Sequence, residues 1–125
     1  MIDLNQGPCA IRRLRGCSCG NEYVAVTPQG DIFPCHQFVG HDEWKMGNLN
    51  DGTFNTDIKK KFARTTIYNK QKCRDCWARF YCSGGCNAIN NEKNGSILEP
   101  YSLYCEMEKK RLECAIMTQA ALADG

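Results

Sequence analysis

The N-terminal half of the chain carries the alternation of apolar and polar residues that is typical of β-strands. Residues 22–33 (EYVAVTPQGDIF) alternate in this way on both sides of Pro28-Gln29-Gly30. Two alternating runs joined by a Pro/Gly turn predict a β-hairpin. Residues 44–49 can add a short strand, and residues 48–53 (NLNDGT) have the composition of a turn. We therefore expect β-structure in this half of the chain.

Two later segments have the spacing of helices. Asn55 or Thr56 can cap the first helix, which we expect over residues 55–69. Its apolar stripe consists of Ile58, Phe62 and Ile67. A long helix is expected over residues 101–123, where apolar residues recur at roughly helical intervals. These residues are Tyr104, Met107, Leu112, Ile116 and Leu122. Between the two helices, we expect residues 72–95 to form a loop with two short helical turns.

These patterns together predict a small α+β, loop-rich domain with an N-terminal β-hairpin and two or three helices. At 125 residues the chain has the length of one domain, which buries roughly two thirds of its unfolded surface. Its apolar residues are few for that length. We therefore expect bound metal to supply part of the folding free energy.

Ten of the residues are cysteines, so the chain is cross-linked either by disulfides or by metal. The first sixteen residues contain no apolar core of the length that a secretory signal needs, because Arg12, Arg13 and Arg15 interrupt it. A reducing, cytoplasmic setting is the expectation, and it favours metal over disulfides. The net charge of +2 is too small to indicate a nucleic acid or an anionic membrane as partner.

Four of the ten cysteines fall in one short segment, Cys73-x2-Cys76-x5-Cys82-x3-Cys86, which is followed by Cys105. Thiolates are soft ligands that suit iron–sulfur clusters or zinc. Two CxxC pairs would favour a zinc ribbon, but the x5 and x3 intervals do not close a second pair. A structural zinc site formed by the first four cysteines remains the alternative. Three basic residues lie within or next to this segment: Lys72, Arg74 and Arg79. They either offset part of the negative charge of bound clusters or are ordinary surface charge.

With the upstream cysteines, the spacing resembles that of a known family. Cys17-x12-Gly30-x4-Cys35, the cysteine segment and Cys105 fit the pattern of the SPASM domain, a C-terminal extension of many peptide-modifying radical SAM enzymes. Cys19 fits equally well as the first cysteine. Phrases such as PCHQFVG (residues 34–40) are similar to those of the maturases of SCIFF peptides, which install cysteine thioether links. The resemblance covers residues 9–114 and implies a single domain over residues 1–125.

The resemblance implies two auxiliary [4Fe-4S] clusters with interleaved ligands. The distal cluster would be held by Cys73, Cys76, Cys82 and Cys105. The proximal cluster would be held by Cys17, Cys35 and Cys86, with Cys9, Cys19 or an open iron at the fourth position. In domain terms, residues 9–35 form the first cluster segment and residues 73–105 form the cysteine-rich segment. Because Cys82 and Cys86 are four residues apart, their Cα atoms lie at most about 13–14 Å from each other, which keeps the clusters close enough for electron transfer.

The C-x3-C-x2-C motif that binds the catalytic cluster of radical SAM enzymes is absent from this sequence. The chain alone is therefore not expected to be an enzyme, and S-adenosylmethionine would bind only in a missing catalytic domain. The implied partners are that domain, in the same parent chain, and a cysteine-rich precursor peptide. The implied role is electron transfer and placement of the peptide thiolate. The rival hypothesis is a structural zinc-binding or protein-interaction module without a redox role.

Overall fold

The computed structural model describes residue 4 and residues 10–123, and the contacts divide the chain into two compact units. The sheet unit is Cys17–Thr66. The helical unit joins Met1–Gly16 to Ile67–Gly125. Each of these units has its own secondary structure and its own set of buried side chains.

The sheet unit contains four short antiparallel strands in the order β1-β2-β3-β4. The strands are Ala25–Val26 (β1), Asp31–Phe33 (β2), Gly47–Asn48 (β3) and Thr53–Phe54 (β4). The predicted hairpin is confirmed, since β1 pairs with β2 and Gly30 donates its N–H to the Thr27 carbonyl at 2.9 Å. Strand β3 lies within residues 44–49, as expected. Strand β4 was not predicted, because two residues are too few to show alternation.

Side chains and one glycine hold the later strands in register. Asp31 on β2 accepts hydrogen bonds from Lys45 at 2.6 Å and from Asn48 at 2.7 Å, and the Lys45 ammonium lowers the pKa of this carboxyl. Gly47 has φ +156° and lies so close to β4 that a Cβ would collide with the Thr53 carbonyl. Only glycine allows this approach of the two strands.

Three aromatic rings form the centre of the sheet unit. Phe38, Trp44 and Phe62 pack with centroid separations of 5.4–5.5 Å, and Phe62 is fully buried. Two single 3₁₀ turns, His36–Phe38 and Asp42–Trp44, carry the first two rings. The helix Thr56–Ala63 carries the third. The tilted and edge-on geometry is the arrangement that aromatic pairs favour.

The first of the expected longer helices, labelled α2, is Thr56–Ala63, and it is capped by Asn55 as predicted. The helix is shorter than the expected 55–69. Its C-terminal carbonyls are already satisfied by a tight turn, in which the Thr65 hydroxyl donates to the Phe62 carbonyl at 2.7 Å. Ile67, expected on the same stripe, belongs to the helical unit.

The helical unit contains three single helical turns and two longer helices. They are Ala10–Arg13 (α1), Gln71–Arg74 (α3), Arg79–Cys82 (α4), Asn87–Asn94 (α5) and Ser102–Ala123 (α6). With α2, the described residues thus form three helices of eight residues or more, which agrees with the α+β class and the helix number expected. None of the helices in residues 10–123 is both long and apolar enough to cross a membrane.

Helix α6 covers all but the first residue of the expected 101–123, but its apolar residues do not form one buried stripe. Leu112 is buried, whereas Met107, Ile116 and Leu122 are 56%, 50% and 72% exposed. Glu108 is buried as well, so the inward face of α6 is polar at one of its central positions. The carboxylate at that position is paired with Arg111.

We predict that Asn55→Ala lowers the free energy of unfolding by about 1 kcal/mol, because the side chain caps two N–H groups at the start of α2. Urea denaturation of the metal-loaded chain measures this change. Asn55→Asp is the control, because aspartate caps a helix as well as asparagine and should preserve stability. Equal losses in the two variants would contradict a capping role.

Candidate metal centre

Four cysteines line one cavity of about 260 Å³ in the helical unit. They are Cys73, Cys76, Cys82 and Cys105. The cavity, called here the thiol cavity, is smaller than the roughly 300–1,000 Å³ of pockets that accept drug-sized organic ligands. Four soft donors around a compact space fit a small inorganic group.

The thiols reach this cavity from successive short helical elements. Cys73 lies on α3, Cys82 ends α4, and Cys105 lies in the first turn of α6. Cys76 follows α3 in a tight turn, in which its N–H donates to the Cys73 carbonyl at 3.1 Å. Single helical turns bring residues three or four apart to the same side of the chain, which is how this spacing makes the thiols converge.

The segment after Cys82 reverses the chain through three consecutive left-handed residues. Ser83, Gly84 and Gly85 have φ of +60°, +88° and +74°. The backbone N–H groups of Gly84 and Gly85 donate to the Cys82 sulfur. Glycine adopts this conformation without strain, so the sequence allows the backbone to turn toward the sulfur.

A buried lysine supports the same turn from its other side. Lys70 is 1% exposed, and its ammonium donates to the Gly84 carbonyl at 2.9 Å and to Asn87 Oδ1 at 2.7 Å. Asn90 Nδ2 also donates to the Gly84 carbonyl, at 3.2 Å. A Cβ at Gly84 would lie 2.9 Å from Lys70 Cδ, so the lysine packs tightly on the glycine. Sequence reasoning missed Lys70, because a lysine preceding a cysteine pair resembles ordinary surface charge.

Burial favours the protonated form of three of the cavity thiols. Burial raises the pKa of Cys73 to about 11 and also raises the pKa values of Cys82 and Cys105. The N–H groups of Gly84 and Gly85 offset part of the shift at Cys82, and the Lys70 ammonium offsets part of it at Cys73. A metal that binds these sulfurs must displace their protons, so its affinity increases with pH.

Five charged side chains also line the thiol cavity, and two of them, Arg79 and Glu108, are held by contacts within this unit. Glu108 is nearly buried and pairs with Arg111. Arg79 donates from Nη1 to the Cys76 carbonyl at 3.0 Å, whereas its Nε is buried without a hydrogen-bond partner among the described residues. A spare buried N–H beside four thiols fits a group that brings acceptor atoms, and the sulfides of an iron–sulfur cluster are such acceptors.

A structural zinc site would be formed by Cys73, Cys76, Cys82 and Cys86, but these four cysteines do not all line this cavity. Cys73, Cys76 and Cys82 do, whereas Cys105 takes the fourth place and Cys86 is the N-cap of α5. Among residues 4 and 10–123, no three His, Cys, Asp or Glu side chains are grouped as a site for a single metal ion.

The cysteines expected at the proximal cluster are distributed over both units. Cys17, Cys19 and Cys35 belong to the sheet unit, and Cys86 belongs to the helical unit. Cys17 is exposed, whereas Cys19 and Cys35 are buried. Cys9 lies outside the described residues. The proximal ligand set therefore remains a prediction.

Comparison with known families shows which family the chain belongs to. Residues 17–77 match the model of SPASM, described as an iron–sulfur cluster-binding domain. The matched residues include Cys17, Cys19 and Cys35, together with Cys73 and Cys76 of the thiol cavity. The chain belongs to the SPASM family of iron–sulfur cluster-binding domains.

Individual relatives are maturation and radical SAM enzymes. The chain is 33% identical over 104 residues to the cysteine-type anaerobic sulfatase-maturating enzyme of Clostridium perfringens, which covers 79% of this chain and 26% of the relative. It is 31% identical over 101 residues to the enzyme of the same name from Clostridium novyi, with coverages of 78% and 26%. It is 27% identical over 100 residues to the radical SAM cyclopropyl synthase TigE of Paramaledivibacter caminithermalis, with coverages of 78% and 20%. The chain thus spans only 20–26% of the length of these relatives.

We predict that Lys70→Met lowers the free energy of unfolding by about 2 kcal/mol, because it leaves two acceptors without a charged donor. Lys72→Met is the matched control. Lys72 also lines the thiol cavity, but it is half-exposed and pairs with Glu99 at the surface, so its loss should change stability little. Urea denaturation of both variants in the same metal state measures the difference. Equal effects would mean that the buried ammonium does not hold the turn.

Proposed function

We propose that this chain binds two [4Fe-4S] clusters and serves as the auxiliary electron-transfer and substrate-placing domain of a radical SAM maturase. The observation that carries the proposal is the thiol cavity, where four cysteines surround a compact space within one unit. Its ligands, Cys73, Cys76, Cys82 and Cys105, are those expected for the distal cluster. Membership of the SPASM family supports the choice of iron and sulfide over zinc.

The protein's own groups are suited to that cofactor. When bound, a [4Fe-4S] cluster accepts and releases single electrons at a potential that its surroundings set. The cysteines hold it, and the backbone amides of Gly84 and Gly85 already donate to one of the ligand sulfurs. Lys72 and Lys109 line the same cavity, where their charges oppose the net negative charge of a thiolate-ligated cluster.

For the proximal cluster we propose Cys17, Cys35 and Cys86 as ligands, with Cys19 as the first candidate for the fourth position. Gly20 donates its N–H to the Pro34 carbonyl at 3.0 Å, which joins the residue after Cys19 to the residue before Cys35. Both cysteines are buried in the sheet unit. An open iron that binds the substrate's sulfur is the alternative, and so is Cys9.

The proposed reaction of the parent enzyme is formation of a cysteine thioether link in a precursor peptide. Bond formation between a carbon radical and a thiolate leaves one surplus electron. The enzyme therefore needs an electron acceptor near the substrate, and this domain would provide it. The phrases shared with the SCIFF maturases support this substrate class. The catalytic domain would be the partner in the same chain.

A second candidate function follows from the curated relatives. Two of those described above are named as cysteine-type anaerobic sulfatase-maturating enzymes. Their similarity favours a parent enzyme that acts on a cysteine within a sulfatase. Incubating the full-length parent enzyme with a sulfatase peptide and with a cysteine-rich peptide, followed by mass spectrometry, distinguishes the two. A thioether cross-link supports the first function, and oxidation of the sulfatase cysteine without a cross-link supports the second.

We predict that anaerobic reconstitution gives a brown chain with about eight irons, and that single cysteine variants remove one cluster each. Cys105→Ala and Cys86→Ala should each reduce the iron content to about four per chain. They should remove different electron paramagnetic resonance signals, because they belong to different clusters. Iron and acid-labile sulfide analysis with spectroscopy makes the measurement.

Cys114→Ala is the control, since Cys114 is an exposed thiol on α6 and should retain all the iron. If Cys86→Ala removed the same signal as Cys105→Ala, the interleaved assignment would be wrong. Colourless protein with stoichiometric zinc after anaerobic reconstitution would establish the rival structural module instead.

A further inference from the structure

We propose that Arg79 donates a hydrogen bond from Nε to a sulfur of the cluster in the thiol cavity and thereby raises the reduction potential of that cluster. This inference rests on the proposed function. It assigns to Arg79 a specific hydrogen bond that tunes the reduction potential of the cluster, in addition to the general effect of its positive charge.

The guanidinium of Arg79 is fixed at the wall of the cavity. Arg79 is the first residue of α4, and its Nη1 donates to the Cys76 carbonyl at 3.0 Å. Its guanidinium carbon also lies 5.0 Å from the centre of the Phe80 ring, at a distance typical of cation–π contacts. These two contacts hold the planar group in place, so the direction of its Nε–H is determined.

The Nε atom is the one buried side-chain nitrogen or oxygen in the described part of the chain that has no hydrogen-bond partner. Buried donors are almost always satisfied in folded proteins, and an arginine cannot lose its proton to remove the demand. An unsatisfied N–H in a cavity lined by metal-ligating residues indicates that the acceptor arrives with the cofactor.

The protein acceptors near Arg79 are already occupied. The Cys76 carbonyl accepts from both the backbone N–H and the Nη1 of Arg79. The Glu108 carboxylate, which lines the same cavity, pairs with Arg111. The cysteine sulfurs of the cavity, and the sulfides they would enclose, are acceptors that remain open to this N–H. A hydrogen bond to such a sulfur stabilises the more negative, reduced cluster and raises its potential.

Arg74 provides a matched control within the same cysteine segment. It is exposed, and its Nε donates to the Tyr68 carbonyl at 3.1 Å. The two arginines carry the same charge and lie five positions apart in the sequence. They differ in whether Nε already has a protein acceptor, so a comparison of their variants separates hydrogen bonding from charge.

The first test is a redox titration of the reconstituted full chain. It is monitored through the electron paramagnetic resonance signal that Cys105→Ala removes. Arg79→Met should lower the equilibrium constant for one-electron reduction about tenfold, a shift of about 59 mV to more negative potential. Arg79→Lys, which retains the charge but lacks the fixed Nε–H, should shift the potential in the same direction. Arg74→Met should leave it nearly unchanged.

The second test examines the wild-type chain directly, so it does not depend on whether a variant folds. With ¹⁵N-labelled arginine, pulsed electron paramagnetic resonance of the reduced cluster should detect coupling to one arginine nitrogen. The coupling should persist in Arg74→Met and disappear in Arg79→Lys. The inference would be overturned if the wild-type chain assembled its clusters without showing the coupling and the reduction potential of Arg79→Lys were unchanged. That result would leave the proposed function intact. Failure of the wild-type chain to assemble a cluster would instead overturn the proposed function.

Discussion

The helical unit depends on keeping four thiols together in one cavity. Burial raises the pKa values of three of these thiols, so a metal that binds them must displace their protons. The surrounding elements are correspondingly small, because α3 and α4 are single turns of four residues each. Single helical turns are not stable alone. Metal–sulfur bonds would therefore supply cohesion that the thin apolar core cannot, which couples cluster loading to folding of this unit.

Lys70 and the turn at Ser83, Gly84 and Gly85 form the second requirement. A buried ammonium is tolerated only where several acceptors surround it, and here one glycine carbonyl and one asparagine side chain do so. The same turn directs two backbone amides toward the Cys82 sulfur. A single turn thus holds a lysine on one side and a ligand thiol on the other, which links the stability of the fold to the geometry of the site.

Local features were predictable from the sequence, whereas features set by packing were not. The β1–β2 hairpin and the Asn55 cap follow from turn and capping chemistry within a few residues, and both are present. The apolar spacing predicted helix α6 but not its full buried face, because Glu108 takes an inward position that apolar spacing cannot reveal. Lys70 is buried through contacts 14 and 17 positions away, and no local pattern encodes them. The family resemblance, rather than the cysteine spacing alone, grouped the four thiols that line the thiol cavity, and the proximal ligand set stays a prediction.

The same turn bears on whether Cys82 and Cys86 serve one metal or two. A chain that continued α4 regularly would place residues four apart on one face, and both thiols could then reach a single site. Three left-handed residues interrupt the helix instead. Cys82 lines the thiol cavity, and Cys86 becomes the N-cap of α5, where the positive end of the helix dipole favours a negative ligand. Because Lys70 holds the Gly84 carbonyl, this redirection is rigid. Cys82 therefore lines the thiol cavity and Cys86 does not, as the proposed assignment of these two cysteines to different clusters requires.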